Sequence, residues 1–178
     1  QIMLFLHSHG VSTNLAIKIY KQYGDQALPV VQNDPYRLSR DIFGVGFKTA
    51  DRLAQALGLA ADHPGRIDAG VEYALSEMSN DGHVYAPQGQ LVERAAELLE
   101  LDGDIILPAL DRLAAQGRVQ RELLPSENRA VILDQRSIDE DAVDYRLPAV
   151  YLMPFYHGEM GAAERLRALA QCWPTRLS

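Results

Sequence analysis

The sequence predicts a mainly α-helical protein with one small β-hairpin. Three observations favour this fold class. Apolar residues recur at helical spacing along most of the chain, and two glycine-centred turns interrupt its first third. From residue 66 onward the predicted elements are a helix, a short strand, two helices and a hairpin, which is the order of a winged helix. We therefore expect tandem helical hairpins followed by a winged-helix-like α+β domain.

The turn in the segment Asp41–Gly58 is typical of a helix-hairpin-helix motif. Gly44-Val45-Gly46 precedes a run of apolar residues at i, i+3, i+4 and i+7. Glycine permits positive φ and a close approach of the backbone to a ligand. The free N–H groups of the following helix attract anions such as a DNA phosphate. The candidate contacts here are Gly44, Val45, Gly46, Lys48 and Thr49. A turn between two packed helices, with no ligand, remains the alternative.

A repeat strengthens the motif. The offset that separates Gly10 from Gly44 also relates Val11 to Val45, Ala16 to Ala50, Ile19 to Leu53 and Gly24 to Gly58. Ser12, a good helix N-cap, takes the place of the second glycine. Two hairpins related in this way are expected to meet successive phosphates of duplex DNA. Gly10, Val11 and Ser12 are therefore further candidate contacts.

The predicted first domain spans residues 1–62. Apolar periodicity and turn residues place short helices at Ile2–His7, Asp25–Val31 and Pro35–Arg40. A longer helix runs from Ser12 to Tyr23, and its apolar face consists of Leu15, Ala16, Ile19, Tyr20 and Tyr23.

The predicted second domain, residues 63–134, is winged-helix-like. Its helices are Arg66–Ser79, Gln88–Leu101 and Ile105–Gln116, and its strands are His83–Tyr85, Val119–Leu124 and Ala130–Leu133. The inward positions include Leu107, Leu110, Leu113 and Ala114 on the third helix. That helix carries two acids and one arginine, a poor match for phosphates. The domain is therefore interpreted as a structural or protein-contact module, with Arg118, Arg121 and Arg129 of the wing as the exception.

Residues 135–178 form the predicted third segment. An acidic linker, Gln135–Asp144, precedes a strand, Leu147–Leu152, and a helix, Phe155–Gln171. A metal site formed by the carboxylates of this linker is the alternative. The linker lacks, however, the central glycine of a calcium-binding loop and any histidine at metal-ligand spacing. We expect Met160, Ala163, Leu166 and Ala170 to face inward.

Charge and composition limit the function classes. The net charge is −7, but residues 1–58 carry six basic and four acidic side chains. Any DNA contact is therefore expected in the first third and with weak affinity. No apolar run approaches the length of a membrane span. One cysteine, Cys172, excludes an internal disulfide and favours the cytoplasm.

No catalytic motif is recognisable. Ile42 and Phe47 stand where a P-loop needs glycine, and Thr49 where a dinucleotide fingerprint needs one. The histidines lack metal-ligand spacing, and Ser8, Ser12 and Thr49 lack a recognisable base. The sequence predicts no catalytic residue, metal site or cofactor site. A site assembled only by the fold remains the alternative.

The combined motifs resemble the N-terminal region of RecD-like helicases, the RecD/TraA family. The similarity lies in Asn33–Leu38, Ile42–Asp51, Arg66–Gly70 and Gly82–Tyr85, and the strand and helix from Val150 resemble the lead-in to the motor domain. The resemblance implies a parent protein that is an ATP-dependent 5′-to-3′ DNA helicase of repair or recombination, similar to an exodeoxyribonuclease V alpha subunit. ATP and Mg²⁺ would belong to its motor domain, whose motifs have no match here.

Two hypotheses for this chain follow. It is a non-catalytic region that contacts single-stranded, duplex or forked DNA independently of sequence, together with the rest of the helicase chain. Alternatively, it is a protein-interaction or domain-packing module that does not bind DNA.

Overall fold

The structure, a computed structural model, describes residues 2–125 and 146–172 and is mainly α-helical. The first part contains two helical hairpins. Their helices are α1 (Ile2–Ser8), α2 (Thr13–Tyr23), α3 (Ala27–Asn33), α4 (Arg37–Asp41) and α5 (Phe47–Ala56). A 3₁₀ turn at Gly24–Gln26 precedes α3, so the single helix predicted over Asp25–Val31 is divided.

The repeat is visible in the packing of the two hairpins. Ala16 and Ala50 are both fully buried, and Ile19 and Leu53 are 0% and 3% exposed. Gly24 and Gly58, which follow the corresponding helices, both have positive φ, at 55° and 82°. The hairpin core combines Ala16, Ile19 and Leu53 with residues from α1, α3 and α4, including Leu6, Val31 and Leu38, whereas Ala50 faces the core of the second part. The constant offset in the sequence therefore describes a structural repeat.

The second part packs three helices against a small antiparallel sheet. Its elements are α6 (Pro64–Asn80), β1 (Ala86–Pro87), α7 (Gln88–Leu99), α8 (Gly103–Ala115), β2 (Val119–Pro125) and β3 (Arg146–Leu152). The order of strands in the sheet is β1-β3-β2, and both pairings are antiparallel. The helix, short strand, two helices and strand up to β2 follow the predicted order, and β3 corresponds to the strand predicted at Leu147–Leu152 in the third segment.

The strands differ from the prediction in two respects. The short strand expected at His83–Tyr85 lies at Ala86–Pro87, because those residues pair with Val150 and Ala149 of β3. The partner of β2 is β3, with Val119 opposite Leu152 and Leu124 opposite Leu147. The predicted strand Ala130–Leu133, its turn and the acidic segment at 135–144 lie outside the described residues.

A second core fills the space between α6, α7, α8 and the sheet. It includes Val71, Leu75, Leu91, Leu110 and, from the sheet, Val150. Helix α5 contributes to both cores, because Phe47 and Ala54 lie in the second core and Leu53 lies in the first. Helix α5 therefore packs against the hairpins on one face and against the second part of the chain on the other.

A buried polar cluster lies behind α5. The Nε of Arg66 donates a hydrogen bond to Asp51 Oδ1 over 2.9 Å, and the Tyr36 hydroxyl donates to the same oxygen over 2.7 Å. The guanidinium also donates to the carbonyls of Ala61 and Leu99. Burial and the hydrogen bond to Asp51 raise the pKa of Tyr36 well above its usual value. Tyr36 therefore stays a neutral donor.

Three groups of predicted inward residues are exposed. Helix α9 (Met153–Cys172) leaves Met160 and Leu166 exposed by 41% and 67%, and Ala170 is also exposed. Leu107 of α8 is exposed by 40% while its neighbour Ile106 is buried, and Tyr20 lies at the exposed edge of α2. Helical periodicity identifies an apolar face but not whether another element covers it. The side chain of Cys172 lies outside the described ones.

None of the described helices combines the length with the apolar composition that crossing a membrane requires.

Gly70 provides a test of the α6–α7 contact. A Cβ built there would lie 2.6 Å from Leu99 Cδ2, inside the second core. We expect Gly70→Ala to lower the free energy of unfolding by about 1–3 kcal/mol, as overpacked core substitutions do. Chemical denaturation followed by circular dichroism measures this change. The matched control is Gly89→Ala in α7, where a Cβ meets nothing within 4 Å. Equal stability of both variants would contradict the close contact.

Candidate nucleic-acid interface

The two hairpin turns share one backbone geometry. Gly10 and Gly44 have φ values of 75° and 84°, a region that other residues rarely adopt. The following residues, Val11 and Val45, are 6% and 5% exposed, so each turn is anchored in the hairpin core. The predicted glycine and valine pairs therefore occupy equivalent places.

Each turn leads directly into a helix N-terminus. Ser12 caps α2, and its Oγ accepts a hydrogen bond from Leu15 N over 3.4 Å. Gly46 caps α5 with a similarly extended backbone but without a side chain. Within the described ranges, no protein acceptor meets the backbone N–H groups of residues 12–14 and 46–48. Such groups favour anions, since they add the positive end of the helix dipole to open hydrogen-bond donors.

A basic side chain from the opposite repeat accompanies each turn. The Lys18 Nζ, on α2, donates to the Phe43 carbonyl over 3.2 Å and lies beside Gly44. Arg52, on α5, lines a cavity with Gly10, Val11 and Ser12 of the first turn. Thr49 lines the same cavity. The arrangement is therefore reciprocal between the repeats.

Lys18 and Arg52 were missed as site residues by sequence reasoning. They are related by the same offset as Gly10 and Gly44, so the repeat itself contained the signal. In the alignment of the two repeats, Lys18 and Arg52 occupy the same position of their helices. Each side chain, however, lies at the turn of the other hairpin. Only the packing of α2 against the second turn reveals that exchange.

The side chain of Lys48 points away from the second hairpin turn. Its ammonium is 5.9 Å from the centroid of the Tyr73 ring, a cation–π distance, and its side chain lines a groove with Glu77, Arg94 and Glu97. The backbone of Lys48 belongs to the helix N-terminus, whereas its charge is directed toward α6 and α7. The structure therefore separates the amide and the ammonium of this predicted site residue.

Ion pairing leaves a positive charge on the hairpin surface. Arg37 pairs with Asp41 over 2.9 Å, and Arg40 pairs with Asp34. The hydrogen bond from Arg37 lowers the pKa of Asp41, and burial raises the pKa of the adjacent Tyr23 to about 12. Asp51 forms a buried salt bridge with Arg66 of α6, which neutralises its charge. Across 2–125 and 146–172, no ion pair engages the remaining basic residues of the hairpins, Lys18, Lys21, Lys48 and Arg52.

Comparison with known proteins agrees with the presence of a helix-hairpin-helix domain in this part of the chain. A family model described as the helix-hairpin-helix domain of the ATP-dependent RecD2 DNA helicase matches residues 1–85. Residues 1–85 form a RecD2-type helix-hairpin-helix domain. The ATP-dependent RecD2 DNA helicase of Deinococcus radiodurans is 30% identical over 121 residues, which are 67% of this chain and 16% of that protein. The predicted resemblance to the N-terminal region of RecD-like helicases is confirmed.

The arginines of α8 and of the predicted wing form ion pairs, unlike the basic side chains Lys18 and Arg52 of the hairpins. The predicted wing residues Arg118 and Arg121 pair with Glu72 and Asp111. On α8, Arg112 pairs with Asp68 over 2.7 Å. Arg129 lies outside the described residues. These pairs hold α6, α8 and β2 together, so their arginines are occupied within the fold.

Ser8 and His9, next to the first turn of the RecD2-type domain, both form hydrogen bonds with the backbone of α1. Ser8 Oγ lies 3.1 Å from His9 Nδ1. The Ser8 hydroxyl donates to the Phe5 carbonyl over 2.7 Å, and His9 Nδ1 donates to the same carbonyl over 2.8 Å. An activated serine must instead donate to a basic histidine nitrogen. Within the described part of the chain, no cluster of three or more metal-ligating side chains is present.

Gly44 tests the geometry of the second turn. We expect Gly44→Ala to destabilise the chain by about 1–2 kcal/mol, the cost of a left-handed conformation for a residue with a Cβ. Gly46→Ala is the control, because Gly46 has φ of −89° and open space around its Cβ position. Thermal unfolding followed by circular dichroism measures both. A Gly44→Ala variant as stable as Gly46→Ala would contradict the positive φ.

Proposed function

We propose that the RecD2-type domain binds the DNA backbone, independently of base sequence, through its two hairpin turns. The observation that carries the proposal is the reciprocal pairing of each turn with a basic residue of the other repeat. Lys18 lies at the second turn and Arg52 lines the cavity of the first. Each turn then combines free amides with one cation, a combination suited to a phosphate.

The expected contacts are non-specific. Backbone amides and single basic side chains hold phosphates and do not distinguish base edges. With only two such turns, few counterions are released, so binding is expected to be weak and modestly salt-dependent. The residues that shape the two sites are Gly10, Val11, Ser12, Gly44, Val45, Gly46 and Thr49. Lys48 contributes its amide.

In this proposal the chain is a non-catalytic part of a RecD2-like 5′-to-3′ helicase of DNA repair or recombination. Unwinding, ATP and Mg²⁺ are assigned to a motor region for which this chain has no motif. The chain spans 16% of the length of the RecD2 relative. The proposed role is to hold DNA in place for the motor.

A DNA titration tests the proposal. We expect Lys18→Gln and Arg52→Gln each to weaken binding about three- to tenfold and to reduce the salt dependence by about one phosphate contact. Fluorescence anisotropy with duplex and single-stranded DNA at two salt concentrations measures both effects. Arg165→Gln is the control, because that exposed residue lies on α9. Lys48→Ala separates the role of its ammonium, for which we expect a smaller loss.

Two outcomes would contradict the proposed DNA binding or the role of the turns in it. Absence of binding to any DNA at low salt would overturn the proposed function. A loss of affinity in Arg165→Gln equal to that in Lys18→Gln would show that net charge, rather than the turns, governs binding.

A second function, packing against the rest of a helicase, is favoured by α9. Leu166 and Leu169 are 67% and 65% exposed on this helix, and Phe155 is exposed by 40%. Exposed apolar groups on one helix indicate a surface that another protein segment covers. We propose that the remainder of the helicase chain covers it.

Leu166→Gln tests this second function. In the isolated chain we expect no change in stability, because the side chain is already in water. In a longer protein that contains the motor region, the loss of buried apolar area is expected to cost about 1–2 kcal/mol. Thermal unfolding of both proteins measures the difference, with Glu164→Gln on the same helix as control. Equal stability of the longer protein and its Leu166→Gln variant would contradict the packing function.

A further inference from the structure

We propose that Phe43, at the second hairpin turn, stacks on an unpaired DNA base. The inference rests on the proposed DNA binding and specifies its substrate class. The preferred DNA would contain a single-stranded segment beside a duplex, with the first hairpin on duplex phosphates and the second at the unpaired bases.

Phe43 is the most exposed of the large apolar side chains that the structure describes, at 98%. Its apolar neighbours in the same segment are buried, with Ile42 at 7%, Val45 at 5% and Phe47 at 4%. A single exposed apolar residue needs no explanation in itself. Here, however, Phe43 belongs to the turn that leads into the open amides of residues 46–48, and its backbone carbonyl accepts a hydrogen bond from the Lys18 ammonium.

The backbone that carries the ring is fixed on both sides. Lys18 Nζ donates to the Phe43 carbonyl over 3.2 Å, and Val45 N donates to the Ile42 carbonyl over 3.0 Å. Gly44 follows with φ of 84°. A ring on a pre-formed turn loses little conformational freedom on binding, which favours its use as a contact.

The first hairpin lacks this feature, although its turn is otherwise equivalent. His9 occupies the position that corresponds to Phe43 in the repeat. Its ring lies 4.4 Å from the ring of Phe5, and its Nδ1 donates to the Phe5 carbonyl over 2.8 Å. The His9 ring is therefore held against α1, so only the second turn presents an available aromatic face.

An exposed phenyl ring next to a phosphate site distinguishes unpaired from paired bases. Every unpaired base offers a face on which an aromatic side chain stacks, and this contact tolerates any sequence. In a duplex the same faces are covered by neighbouring bases, and separating them costs energy. The two turns then make equivalent phosphate contacts, while Phe43 adds a contact available only at unpaired positions.

Phe43→Ala in the 178-residue chain tests the inference. We expect its affinity to fall about tenfold for single-stranded and forked DNA, as one base–aromatic stack predicts, and less than about twofold for duplex DNA. Phe43→Trp is expected to retain the affinity of the original chain. Fluorescence anisotropy measures affinity, and 2-aminopurine in the unpaired strand reports stacking through quenching that Phe43→Ala removes. The matched control is Phe155→Ala, which removes an exposed phenyl ring from α9.

The outcomes separate this inference from the proposed function. If Phe43→Ala binds every DNA as the original chain does, stacking is wrong and the phosphate contacts stand. An equal loss on duplex and single-stranded DNA would also overturn stacking, because the contact would not depend on unpaired bases. Failure of the original chain to bind any DNA would overturn both proposals. Because Phe43 is almost fully exposed, circular dichroism should show an unchanged fold.

Discussion

The buried pair formed by Arg66 and Asp51 connects the hairpins to the rest of the structure. Arg66, in the first turn of α6, reaches back to Asp51 in the middle of α5, where Tyr36 donates to the same carboxylate. The guanidinium also holds the carbonyls of Ala61 and Leu99, in a loop and at the end of α7. Several segments therefore meet at one charge pair. Removing one member of such a pair leaves the other buried and uncompensated, at a cost on the order of 3–5 kcal/mol.

This connection has an electrostatic effect on the hairpins. Asp51 lies on α5, between Lys48 and Arg52, and an unpaired carboxylate there would weaken the attraction of this helix for phosphates. The salt bridge to Arg66 neutralises it, while Arg37 and Arg40 neutralise Asp41 and Asp34. The acids of the hairpins are thus mostly paired, whereas several basic side chains are left to the solvent. A protein with a net charge of −7 can in this way present a locally positive surface.

The sequence predicts the parts of the structure that depend on local chemistry. Gly10 and Gly44 are recognisable because a turn with positive φ requires glycine, and the offset between them places their flanking core positions correctly. Lys18 and Arg52 are missed because each acts across the interface between the repeats, a relation that helical periodicity does not contain. Lys48 is expected at the turn, but the ring of Tyr73 attracts its ammonium.

Apolar periodicity has a similar limit in the rest of the chain. Leu107 and Leu166 each follow a helical apolar pattern, yet the described elements leave them 40% and 67% exposed. A pattern of this kind records which face of a helix is apolar, and the partner of that face is set by contacts distant in the sequence. The register of β1 shows the same dependence, because its position is decided by pairing with β3.

The central position of β3 has a consequence for the order in which the chain folds. Its residues 146–152 pair with β1 on one side and with β2 on the other, and Val150 completes the second core. All buried members of the hairpin core lie between Leu6 and Leu53, so during synthesis this core can close once that part of the chain has emerged. The second core is completed only by Val150 of β3, and until that strand arrives β1 and β2 lack the strand that pairs with both of them. The residues of the hairpin core are therefore available earlier than those that complete the second core, although Asp51 gains its partner only when Arg66 has emerged.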